Sequence, residues 1–182
     1  DVIAAIVLAY EIFLRLADVL HRQDFDNTAF GGFAIAMAAG RLLRLGRDQL
    51  AHALSIAVVP SNILRQVRLS HLTMWKVAAA GHAGRNGVFA AELARAGMQG
   101  PHQPFAGDAG WCAHIARERF ALELAAPGEH YRILDTRLKH RPSSGATIPC
   151  ILAAENIAPR IGCIDDIVSV TAEVYRMVMD NV

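Results

Sequence analysis

Two lysines stand in settings where an amine could do chemistry. Lys76 opens a helix-patterned stretch in which Gly81, Gly84 and Gly87 recur every three residues. A helix-interior glycine costs about 1 kcal/mol relative to alanine, so three in register imply close approach of another group to the backbone. Lys76, Ala80, Ala83, Gly84 and Gly87 fall on one face by i, i+4, i+7 spacing. A lysine heading such a face and partly shielded from water can donate or accept a proton near neutrality. The same pattern also suits a helix–helix crossing with Lys76 extending its amine to water. On the residues alone both readings stand.

The second stretch is Leu138-Lys-His-Arg-Pro-Ser-Ser-Gly-Ala-Thr147. It leaves a strand-like segment, turns at Pro142 and Gly145, and enters a helix. Lys139, His140 and Arg141, together with the hydroxyls of Ser143, Ser144 and Thr147 at a helix start, could bind carboxylates. A solvated basic loop would have the same composition.

The elements that must carry these residues are mainly helical. Residues 2–21 form a helix whose polar positions Glu11, Arg15, Asp18 and Arg22 make one narrow stripe. Residues 24–28 make a loop that ends in N-cap residue types, and further helices are expected at 30–45, 48–59 and 74–96. Gly46, Pro60 and Gly97 supply their stops. Residues 61–73 read as a helical turn and loop, and 111–125 as another helix. From Pro127-Gly128 onward the pattern changes. Residues 131–139 and 164–172 read as strands, 146–158 as a helix, and a last helix starts near Glu173. The expected organisation is therefore an all-helical domain at 1–126 followed by the beginning of an α/β domain at 127–182.

Composition narrows the function. The chain has 182 residues, 53% of them hydrophobic and 19% charged, with a net charge of +1. Its basic residues are scattered and not interleaved with aromatics, which argues against nucleic acid. No apolar run reaches the roughly 18 residues of a membrane span. Cys112, Cys150 and Cys163 are widely spaced with no C-x-x-C, so no zinc ribbon or iron–sulfur ligand set is written, and reduced thiols of a cytoplasmic protein are expected. The G-x-G-x-x-G, Walker A, H-E-x-x-H and G-x-S-x-G signatures are absent. The chain opens on Asp1 inside an apolar segment, as expected of a piece that starts within a domain.

Several blocks together resemble the MmgE/PrpD family. They are Met74-Trp-Lys76 with Ala83-Gly-Arg-Asn-Gly-Val-Phe-Ala-Ala91 and Ala96-Gly-Met-Gln-Gly-Pro101, then Phe105-Ala-Gly107 with Gly110-Trp111. Leu138-Lys-x-x-Pro142 is similar to the K-x-[YF]-P motif that joins the family's two domains. Arg41-Leu-Leu-Arg-Leu-Gly46 and Gln49-Leu-Ala-His-Ala-Leu-Ser-Ile-Ala57 match two of its helices.

The resemblance implies a mainly α chain: an all-helical MmgE/PrpD-type domain, then the start of a smaller α/β (α+β) lid, usually in homodimers with the active site between the domains. It implies a hydro-lyase that takes a small polycarboxylic acid and needs no cofactor and no metal. The 2-methylcitrate dehydratase type is favoured; iminodisuccinate epimerase, cis-aconitate decarboxylase and a non-catalytic helical fragment are alternatives. The two active-site lysines of the family would fall on Lys76 and Lys139. The sequence departs from the family pattern in three places. A histidine of some members would fall near Asp26, Asn27 and Thr28, Arg141 stands for the motif's aromatic, and Ile148 for a frequent polar residue.

Overall fold

The computed structural model describes residues 2–20, 25–69 and 71–175. It comprises two compact units, Asp1–Asp135 and Thr136–Val182. The first unit holds helices α1 (Val2–Val19), α2 (Ala29–Leu42), α3 (Arg47–Val58) and α4 (Trp75–Arg95). The second holds α5 (Ile148–Ile157) with short 3₁₀ turns at Ala158–Arg160 and Ile164–Asp166. No strand occurs among the described residues, and none of their helices is long and apolar enough to cross a membrane.

α2 is the central element of the first unit, packed against α1, α3 and α4. Its alanines and glycines explain why. Ala29, Phe30, Gly32, Phe33, Ala34, Ala36, Ala38 and Gly40 are all buried, so small side chains let neighbours approach on several sides. The closest approach is to α4. A Cβ on Gly87 would lie 2.7 Å from the carbonyl oxygen of Gly32 and 2.8 Å from the amide nitrogen of Ala36. Only Gly87 of the glycine triplet has this role; a Cβ on Gly81 or Gly84 would meet nothing within 4 Å. The close-approach expectation therefore holds at one of three positions, and the seam runs through Ala79, Ala83, Gly87, Ala90 and Ala94 instead. α4 stops at Gly97, whose φ of +91° is costly for any residue with a side chain.

The largest apolar cluster is aromatic. Trp111 is buried among Phe25, Phe33, Phe105 and Phe120, with ring centroids 5.1–6.3 Å apart in edge-to-face arrangements. Its indole nitrogen donates to Asn62 Oδ1 at 3.0 Å, so the one polar atom of the ring is satisfied.

Three sequence expectations need correction. The helix expected at 111–125 is a π turn at Cys112–Ala116, ended by Arg117 at φ +56°. Beyond it the chain is irregular, because Phe120 and Leu122 are drawn into the aromatic cluster and tertiary packing overrides helix propensity. The strand expected at 131–139 is a 3₁₀ turn at Arg132–Asp135. A strand needs a neighbour for its amides and carbonyls; here the Arg132 amide instead donates to Glu11 Oε2 at 2.7 Å. The segment 164–172 also forms no ladder, with Val168 99% exposed. The helix expected from near Glu173 lies mostly outside the described residues.

Glu11 carries that docking. Expected within a polar stripe, it is buried on α1 and accepts three hydrogen bonds: from Arg15 Nε at 2.8 Å, the Ala125 amide at 3.2 Å and the Arg132 amide at 2.7 Å. Burial pushes its pKa up, but the Arg132 amide, the Arg15 side chain and the Ala125 amide outweigh this and hold it below the ordinary glutamate value. The Arg132 guanidinium adds ion pairs to Asp18 and Asp135, both at 2.6 Å.

Candidate functional site

The first unit brings Lys76 to a second buried carboxylate. Asp26 precedes α2 on a segment held by its amide, which donates to the Ile63 carbonyl at 2.8 Å, next to the isolated antiparallel bridge between Phe25 and Leu64. That pairing ties the start of α2 to the loop after α3. The loop then makes a 3₁₀ turn at Arg65–Val67, delivers Arg68, and leads into α4, whose first turn carries Lys76. Two regions distant in sequence, 26–28 and 68–76, thus meet at one side chain.

Asp26 is fully buried, and its oxygens are met from every segment. Oδ1 accepts the Thr28 amide at 2.9 Å and the Thr28 hydroxyl at 2.5 Å. Arg68 donates Nε to Oδ2 and Nη2 to Oδ1, the latter at 3.1 Å, in a two-pronged arrangement. Lys76 Nζ lies 3.9 Å from Oδ2. Burial pushes the Asp26 pKa up, but the Arg68 and Thr28 hydrogen bonds prevail and bring it to about 2. Thr28 occupies the N-cap position of α2 but makes no capping bond with its side chain, since the hydroxyl serves Asp26.

The two cations separate this carboxylate from solvent. The Lys76 side chain is 27% exposed and that of Arg68 46%, over an aspartate at 0%. A cleft of about 590 Å³ is walled by residues that flank both cations in sequence: Val67 and Leu69 around Arg68, and Trp75 before Lys76. His71 and His82 also line it. His82 packs on Trp75 with centroids 5.6 Å apart and meets Asn86 Nδ2 at 3.2 Å. The cleft's lining includes neither Lys76 nor Arg68; their ammonium and guanidinium are turned to Asp26, two cations against one buried carboxylate.

The second unit holds the other candidates in one turn. Lys139 Nζ donates to the Ser143 carbonyl at 3.0 Å. Ser143 and Thr147 share a hydrogen bond between hydroxyls at 2.6 Å, and Thr147 Oγ1 also donates to the Ser144 carbonyl at 3.0 Å. Arg141 grips Glu155 of α5 through Nε at 2.6 Å and Nη2 at 2.5 Å. These bonds lower the Glu155 pKa and raise that of Arg141. The carboxylate that Arg141 holds is thus the chain's own. His140 is exposed between Lys139 and Arg141.

Asp26 and Arg68 carry no local signal in the sequence. They are 42 positions apart, and neither lies in a recognisable motif. The one pointer was positional, because the histidine of some MmgE/PrpD members would fall at 26–28.

Compared with known families, residues 1–123 match the sequence model of the MmgE/PrpD N-terminal domain. The match spans the whole four-helix arrangement, including Asp26, Arg68 and Lys76, and stops short of Lys139.

Proposed function

The chain belongs to the MmgE/PrpD family, and from that membership we propose that it acts as a cofactor-independent hydro-lyase on a small polycarboxylic acid, of the 2-methylcitrate dehydratase type. At the level of the family a dehydratase- or lyase-like function follows from the domain match itself. The finer reading is supported by one observation: Lys76 and Arg68 stand together as cations over the buried carboxylate of Asp26.

The chemistry favours such groups. Loss of water from a β-hydroxy acid needs a base for the α-proton, an acid for the departing hydroxyl and cations on the carboxylates. Ammonium groups can serve the last two needs, and the compact charge of lysine suits carboxylates that splay in different directions. We assign Lys76 and Lys139 as catalytic residues, with His140, Arg141, Ser143, Ser144 and Thr147 binding substrate. In this reading the protein works in the cytoplasm as a homodimer. The exposed apolar residues Val77 and Val88, eleven positions apart and so on one side of α4, support an assembly. Sedimentation velocity tests it, with a dimer expected and a monomer at micromolar concentration contradicting it.

The activity test is an assay on 2-methylcitrate, citrate, cis-aconitate and iminodisuccinate. Formation of an unsaturated acid from 2-methylcitrate, faster than turnover of the others, supports the hydro-lyase. Preference for iminodisuccinate or cis-aconitate replaces it with an epimerase or a decarboxylase, and inertness toward all four contradicts it.

A further inference from the structure

Between the end of α3, the middle of α4 and the chain that leaves α4 lies a groove of about 800 Å³. Val59, Phe89 and Met98 line it, and each is more than half exposed. Large apolar side chains gathered in one concave place mark a surface built to be covered. The wall that carries Met98 is fixed. α4 ends in a Schellman motif, in which Gly97 turns the chain at φ +91° and the Met98 amide donates to the Leu93 carbonyl at 3.0 Å. The next residues are fastened to α3: the Gly100 amide donates to His52 Nδ1 at 3.4 Å and the Ser55 hydroxyl to the Pro101 carbonyl. A Cβ on Gly100 would lie 2.7 Å from that of Ser55, so the two segments are in close contact. The charged residue of the groove is Arg85, one helical turn before Phe89 on α4. No aspartate or glutamate is among the lining residues, and no described carboxylate pairs with Arg85. The sequence has none between Asp48 and Glu92.

From this arrangement we propose that the groove is a binding site for an amphipathic monocarboxylate, an apolar chain that ends in one carboxylate. The chain covers Val59, Phe89 and Met98, and the carboxylate takes the guanidinium of Arg85, whose planar fork matches it. The groove has the volume of a small-molecule site, for which roughly 300–1,000 Å³ is usual. Charge and shape disfavour other occupants. A polycarboxylate lacks an apolar body to bury and would meet a single cation here. A second copy docked by a two-fold axis through the groove would set Arg85 against its own copy, like charge on like charge. Phe89 also stands about 100° round α4 from Val88, so the groove is not the side of the helix assigned to the assembly above. Neither Lys76 nor Lys139 lines it, and its ligand is independent of the substrate proposed for them.

The test uses octanoate, with 1-octanol as the same chain without the charge and acetate as the charge without the chain. Dissociation constants are measured by calorimetry on the 182-residue chain and its variants. Octanoate should bind, 1-octanol should bind about tenfold more weakly, and acetate should not bind measurably. Arg85→Gln should weaken octanoate about tenfold and leave 1-octanol unchanged. Phe89→Ser should weaken both. Arg85 and Phe89 are exposed, so neither change disturbs the core. Failure of octanoate to bind overturns the proposal. So does an Arg85→Gln variant that binds octanoate as tightly as the parent, since binding would then be apolar partition without recognition of the carboxylate. Sedimentation velocity of the same variants tests the other occupant: a dimer that Phe89→Ser converts to monomer, in a chain that octanoate does not bind, makes the groove a contact between copies and overturns the proposal.

Discussion

The carboxylate of Asp26 and the amine of Lys76 are 3.9 Å apart, although 50 positions separate them in sequence. The contact depends on the loop after α3 pairing with the start of α2, and on Arg68 completing the group. It makes the lysine part of the architecture as well as a chemical candidate.

Acid should loosen this part of the fold. Asp26 has a pKa of about 2 in the folded chain against an ordinary 3.8. A depressed carboxylate contributes stability that is present above the unfolded value and is lost as pH falls from 3.8 through 2. The loss should total about 2 kcal/mol. Chemical denaturation at a series of pH values checks this. Asp26→Asn should be less stable near neutrality by a similar amount, about 2 kcal/mol, and should show a flatter acid profile.

Glu11 should govern the segment that links Trp111 to Arg132. In Glu11→Ala the amides of Ala125 and Arg132 lose their acceptor. The expected cost is about 2–3 kcal/mol, from two backbone donors left without a partner. Limited proteolysis should then cut within 117–132 well before the helices, and hydrogen exchange at Ala125 and Arg132 should rise. Cleavage and exchange identical to the parent chain would show that Glu11 does not hold the segment.

The three α4 glycines should separate by sign. Gly87→Ala places a Cβ 2.7 Å from a backbone carbonyl of α2, which no rotamer can relieve, so a loss of about 1–3 kcal/mol is expected. At Gly81 and Gly84 the Cβ enters open space in a helix interior. Alanine there should raise stability by up to about 1 kcal/mol each through helix propensity. Thermal melts of the three single variants decide the matter, and a stabilising Gly87→Ala would contradict the packing described.

These glycines also show how far the sequence could be read. α2 and α4 were legible because alanine and glycine recur with helical period and Gly46 and Gly97 mark stops. One of the family blocks, Ala83 to Ala91, falls on α4. The triplet at 81, 84 and 87 could not reveal which glycine faced a neighbour, since that depends on the crossing point with α2. Residues 131–139 alternated like a strand, but their local pattern contained no information about Glu11, more than a hundred positions earlier. For the same reason Lys76 was found and its partners were not. A lysine in the first turn of a glycine-rich helix is a local signal, while its meeting with Thr28 and Arg68 at the Asp26 carboxylate is made only by the fold.

The central claim is that Lys76 and Lys139 carry the chemistry of a polycarboxylate hydro-lyase. It is tested most directly by the kcat/KM for dehydration of 2-methylcitrate in Lys76→Ala, Lys139→Ala and the double variant, with folding verified by circular dichroism. Each single change should lower kcat/KM by about 10²–10⁴-fold, the range for loss of a proton-transferring group. The double variant should be no worse than the product of the two. A folded double variant that retains full turnover would contradict the account.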